Sequence, residues 1–155
     1  MTKKRNIAMS LILSMGMIIS TMLVGALAAD PVYTKRGSNS AAGGYDVVAY
    51  FTQSAAVKGN AEFVTNYNGA EWSFSSAENL ASFKSNPTNY APQYGGYCAW
   101  ALAQGKLAAG KPKFWTIEGG KLYLNYSKGI QKKWLKDMPG FIAKADANWP
   151  AILDE

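Results

Sequence analysis

A chain of 155 residues is the size of one ordinary domain, large enough to enclose a real core, and a second domain is not expected. It contains no histidine and one cysteine, Cys98, which excludes an intrachain disulfide and any nucleophile activated by an imidazole. The formal charge of +6 suggests a polyanion as partner, but its distribution argues against that.

Residues 1–28 read as a cleavable secretory signal. Lys3, Lys4 and Arg5 precede an uncharged run from Asn6 to Ala29 rich in Ile, Leu, Met and Val, and Ala26-Leu27-Ala28 presents the small side chains that signal peptidase accepts. Cleavage is expected after Ala28. The run is also long enough to span a hydrocarbon core of about 30 Å, yet the small-residue site favours removal over anchoring. Cys98 is far from the cut, so no lipid is attached there. Removal leaves 155 − 28 = 127 residues, with 13 Lys and Arg against 10 acids and a charge of +3. Nucleic acid is therefore not expected as a partner, nor is a stable membrane anchor after cleavage. The expected location is the periplasm or the extracellular space.

Residues 29–44 lack hydrophobic periodicity and predict a flexible leader, followed by one domain over residues 45–150. Asp46-Val47-Val48-Ala49-Tyr50-Phe51 predicts a strand buried on both faces. Asn68-Gly69, between alternating segments, predicts a two-residue hairpin that sets Tyr67 opposite Ala70, Thr65 opposite Trp72 and Phe63 opposite Phe74. Ser75-Ser76-Ala77-Glu78 fits a capping box with Ser75 as cap, and the helix that follows runs to about Ser85, buries Leu80 and Phe83, and stops at Pro87. Breakers over residues 87–96 predict a loop or single turns, and residues 98–104 a helix ended by Gly105. Gly119-Gly120 predicts a second hairpin with Glu118 opposite Lys121, Ile117 opposite Leu122 and Trp115 opposite Leu124. Two helices follow, split at Pro139-Gly140, with Ile130, Trp134 and Met138 inward in the first and Phe141, Ala145 and Trp149 in the second. The whole predicts an α+β fold: a small antiparallel sheet of two hairpins plus one strand, packed against short helices including a C-terminal helical pair.

Asp46-Val47-Val48-Ala49-Tyr50-Phe51, the run from Tyr67 to Asn79, Phe83 and Asn86-Pro87-Thr88-Asn89-Tyr90 together resemble the YHS domain. Tyr94-Gly95-Gly96-Tyr97-Cys98-Ala99, Gly120 to Tyr126 and Gln131-Lys132-Lys133-Trp134 resemble its exported, single-domain branch, so that the similarity spans residues 44–149. The resemblance implies the fold. The metal handling of related domains would imply thiol ligands where this chain has Ala49, Ser75 and Asn79, and the Tyr-His-Ser signature is not intact in a chain without histidine.

Two functional readings follow. In the first the chain is a non-catalytic binding or accessory module for a small-molecule or protein ligand, without cofactor. Its ligand-binding candidates are Tyr94, Tyr97, Cys98, Trp100 and Trp115, aromatic faces around a breaker-rich segment. In the second, Cys98 serves as a copper or zinc ligand or a redox thiol, with a second copy of the chain doubling the ligand count. After removal of residues 1–28 the soft ligands are otherwise limited to Met138, and the carboxylates Asp46, Glu62, Glu71, Glu78 and Glu118 are candidates for acid–base work. The sequence does not fix the oligomeric state.

Overall fold

The computed structural model describes residues 28–155; the signal peptide expected at residues 1–28 lies, but for Ala28, outside them. Both hairpins form at the expected turns. In the first, β1 (Asn60–Tyr67) and β2 (Ala70–Phe74) pair antiparallel with Tyr67 opposite Ala70 and Thr65 opposite Trp72. In the second, β3 (Lys111–Glu118) and β4 (Lys121–Asn125) pair with Glu118 opposite Lys121, Ile117 opposite Leu122 and Trp115 opposite Leu124. The turn residues Asn68, Gly69, Gly119 and Gly120 all take positive φ, as such two-residue turns require.

The expected single sheet is instead two separate two-stranded ones. The strand near Val48 is absent: Ala49–Thr52 is a helical turn, α1. Asp46 is the reason, because its Oδ1 accepts from the backbone N–H groups of Val48 (2.9 Å) and Ala49 (3.2 Å) and turns the chain into a helix. Val47, Val48, Ala49 and Tyr50 are all buried, and a run buried all round has no periodicity to separate helix from strand. A bulge likewise breaks the first ladder between Asn60 and Val64, so Phe74 faces Asn60 and not Phe63. Asn60 Oδ1 accepts from Glu62 N (2.9 Å), a local turn that draws residues out of the ladder. Phe63 still packs, half-buried, against the core.

The helix α2 (Ala77–Ser85) is capped by Ser76, which accepts from Asn79 N, one residue later than expected. Ser75 is engaged elsewhere, on Asp46. As expected, α2 ends at Ser85 ahead of Pro87, and Pro87 then opens a separate short helix, α3 (Pro87–Tyr90), where a first-turn proline lacks only an N–H that has no partner anyway. A 3-10 turn (Gln93–Gly96) and α4 (Ala99–Ala103) follow. The final pair is α5 (Lys128–Trp134) and α6 (Met138–Asn148). The break falls at residues 135–137 and not at Pro139-Gly140, because Asp137 accepts from Gly140 N (3.0 Å) and takes Pro139 into the first turn of α6.

β4 divides the interior. Its alternation sends Leu122 and Leu124 into one cluster with Val47, Val48, Trp72, Phe74 and Phe83, and sends Tyr123 into a second with Tyr94, Tyr97, Leu102, Trp134 and Ile152. A strand buried on both sides thus joins two small cores into one body.

Residues 29–44 do not form a free leader. Val32 is 4% exposed, Tyr33 N donates to Gly95 O (2.9 Å), and Asn39 O and Ala41 N pair with Glu71. The segment is held by backbone hydrogen bonds rather than by an apolar face, which is why no periodicity announced it.

Candidate functional site

Two places concentrate polar chemistry: a buried carboxylate and an open cleft. Asp46 is fully buried and accepts five hydrogen bonds. Beyond the two on Oδ1, its Oδ2 accepts from Ser75 N (2.8 Å), Ser75 Oγ (2.6 Å) and Asn79 Nδ2 (2.7 Å). Burial of a carboxylate demands such saturation. The three positions at which the resemblance would put thiol ligands, Ala49, Ser75 and Asn79, all converge here, and each donates to the same carboxylate. Every group points its protons inward, so the set does not fit a metal ion, which needs lone pairs.

The cleft, with a volume of about 570 Å³, lies where the tips of both hairpins meet the strap at Pro31-Val32. Tyr67 and Asn68 come from the first tip, Gly119, Gly120 and Lys121 from the second. Thr88 and Asn89 of α3, then Pro92 to Gly95, form the floor, and Trp149 closes one end. Tyr67 and Trp149 are half-buried, whereas Asn68, Asn89 and Lys121 are exposed. A volume of this size is in the range of small-ligand pockets, roughly 300–1,000 Å³.

The sequence-derived candidates separate. Tyr94 lines the cleft, but it is buried, its hydroxyl donates to Asp146 Oδ1 (2.8 Å), and burial raises its pKa far above the ordinary phenol value. Tyr97 is also buried and donates to Asp30 O (2.9 Å). Trp100 is half-buried beneath Lys133, whose Nζ is 5.2 Å from the ring centre. Trp115 packs on Tyr50 in the other core, 5.1 Å between ring centres. These residues therefore form no single surface. The cleft walls at Tyr67, Asn68, Lys121 and Trp149 were missed, since each was read as a turn or a helix face and nothing in the sequence brings both turns together.

Cys98 precedes α4 and is 1% exposed; its thiol donates to Asn125 Oδ1 at 3.7 Å. Burial raises its pKa, outweighing the opposing hydrogen bonds from nearby backbone, so the activation expected of a thiol at a helix start does not occur. Among the described residues no three His, Cys, Asp or Glu side chains converge on a point.

Burial also raises the pKa values of Tyr50, Tyr94, Tyr97 and Tyr123. Each raised group contributes stability that is complete below its unfolded value and lost as pH rises through its folded one. Urea midpoints are thus expected to hold near pH 7 and to fall above about pH 8.5 for the thiol and about pH 10 for the phenols. Iodoacetamide is expected to leave Cys98 unmodified until the fold is melted. Rapid alkylation of native protein at neutral pH contradicts this assignment.

Residues 48–94 match the family model of the YHS domain. The chain contains a YHS domain. The match takes in α1, the first hairpin, α2 and α3, and ends at Tyr94 on the cleft floor, a narrower span than residues 44–149. No curated protein and no solved structure matches the chain. The matched stretch therefore supplies the donors that surround Asp46, which itself stands just before it, and one wall of the cleft; the other wall comes from the Gly119-Gly120 turn, Lys121 and Trp149.

Proposed function

We propose that this YHS-domain chain is an exported, non-catalytic binding module whose small polar organic ligand occupies the cleft between the hairpin tips. The observation that carries the reading is the wall chemistry. Half-buried Tyr67 and Trp149 offer flat apolar faces, and Asn68, Asn89, Gln93 and Lys121 offer amide and ammonium groups around the same 570 Å³. Aromatic faces with planar amides suit a hydroxyl-rich ring such as a saccharide, which stacks on one face and hydrogen-bonds at its rim. Support for a non-catalytic role comes from the missing imidazole and from a Tyr94–Asp146 pair already satisfied internally. Support for export comes from the small-residue cut after Ala28, since the chain joins the folded body at the next residue, where Ala29 N donates to Leu153 O. The buried Cys98 thiol, turned to Asn125, lends the metal or redox alternative no support among the described residues.

The test is a thermal-shift screen with neutral and acidic mono- and disaccharides, on the native sequence and on Asn89→Ala/Gln93→Ala. A ligand at 100 times its Kd stabilises the fold by about 2.7 kcal/mol. Removing two amide contacts is expected to weaken binding about tenfold or more. Absence of any saccharide shift, combined with a midpoint rise on Cu(I) or Zn(II) that disappears in Cys98→Ala, overturns the reading in favour of a metal site.

A further inference from the structure

The charge of the chain is segregated. Between residues 106 and 136 stand eight lysines and one acid, Glu118, whereas residues 29–105 carry four cations and five acids. The fold gathers several of those lysines on one face. Lys128 and Lys132 of α5 and Lys136 just beyond it recur at intervals of four residues and are all exposed, so they form one stripe. Leu135 lies on the same stripe, three residues after Lys132, and is 50% exposed. Tyr126, immediately before the Ser127 cap of α5, is 47% exposed, with Lys111 Nζ 4.3 Å from its ring centre. On the opposite flank Lys133 covers Trp100.

A face that only needed to be soluble would interleave acids with these lysines, because like charges four residues apart on a helix repel. Here α5 contains no acid, and the next one, Asp137, is directed at Gly140 N. An exposed leucine and tyrosine set among exposed ammonium groups meet the requirements of a lipid headgroup region. The lysines neutralise phosphates while their stems lie along apolar surface, and the leucine and tyrosine enter the interface. The residue type discriminates between partners. All eight cations are lysine, and the arginine that bidentate phosphate or base recognition and protein hot spots favour is missing.

We propose that the face built from α5, Tyr126 and Lys111 docks the folded protein reversibly on an anionic phospholipid membrane surface. This is separate from the cleft and does not depend on its ligand.

The experiment is sedimentation of the full chain, as recovered from the cell, with vesicles of phosphatidylcholine alone or mixed with phosphatidylglycerol, beside Lys128→Glu/Lys132→Glu/Lys136→Glu. Each lysine near an anionic surface contributes about fivefold in partitioning, so the triple variant is expected to lose about two orders of magnitude or more on the anionic vesicles. Binding is expected to fall likewise at about 0.5 M salt. Circular dichroism of the triple variant shows that the fold is kept, and Leu135→Ser, which leaves charge unchanged, is expected to weaken binding severalfold on its own. Equal sedimentation of both proteins with both vesicle types overturns the proposal, because a hydrophobic N-terminal segment would then explain it. Salt-sensitive retention on DNA or an acidic protein without vesicle binding overturns it equally.

Discussion

Replacing Asp46 by Ala is expected to destabilise the fold by about 3–5 kcal/mol, a large part of the 5–15 kcal/mol that holds a typical domain. The carboxylate is the common acceptor for N–H groups of Val48, Ala49 and Ser75, the Ser75 hydroxyl and the Asn79 amide. Its removal strands five donors in a place where water is excluded, and each unpaired donor costs about 1–3 kcal/mol, less whatever relaxation recovers. Asp46→Asn is the sharper variant. Whichever way the amide turns, its NH2 faces either the two donors on the Oδ1 side or the three on the Oδ2 side, so nearly the whole penalty is expected to remain. Asn79→Ala removes one donor and leaves the acceptor satisfied, and is expected to lose only about 1 kcal/mol. Urea unfolding of the three variants gives the comparison. An Asp46→Asn midpoint indistinguishable from that of the native sequence would show that the network does not need a carboxylate.

The same network explains what the sequence conveyed and what it concealed. Turn chemistry is local, so Asn68-Gly69 and Gly119-Gly120 announced both hairpins and the pairings nearest the turns. Helical spacing placed Phe83, Trp134 and Ala145 inward, and all three are buried. Misreadings arose where a side chain from elsewhere overrode the local signal. Asp46 made a helix start of an apolar run, and in drawing Ser75 away it moved the α2 cap to Ser76. Asn60 opened a bulge that alternation alone cannot announce. The cleft was the least legible feature, because its walls come from two turns about fifty residues apart in the chain that only the tertiary fold sets around one space. The aromatic residues of the Tyr94 segment pointed to the right region, yet their rings face the core and the backbone there faces the strap.

That backbone contact yields the second large effect. Tyr94 and Gly95 both take positive φ (57° and 60°), which brings Gly95 against Pro31 and lets its carbonyl accept from Tyr33 N. A Cβ on Gly95 would overlap the Pro31 carbonyl and stand 3.1 Å from Val32 Cα, both of them backbone that cannot rotate away. Gly95→Ala must therefore lift the strap. The left-handed conformation costs an alanine about 1 kcal/mol, and exposing Val32 forfeits about 1.5–3 kcal/mol more, so a loss of about 3 kcal/mol is expected. Gly69→Ala isolates the first part, since Gly69 also has positive φ (80°) but no atom would meet its Cβ within 4 Å. Its loss is expected to stay near 1 kcal/mol. Hydrogen exchange separates the causes further: in Gly95→Ala the Tyr33 amide is expected to exchange far faster, whereas in Gly69→Ala it keeps its protection. Because Pro31, Val32 and Gly95 line the cleft, saccharide binding is expected to fail with the strap in the first variant and survive in the second. Equal losses of stability in the two variants would mean that the strap yields to a methyl group at no expense, and the close approach at Gly95 would then not be what shapes the cleft.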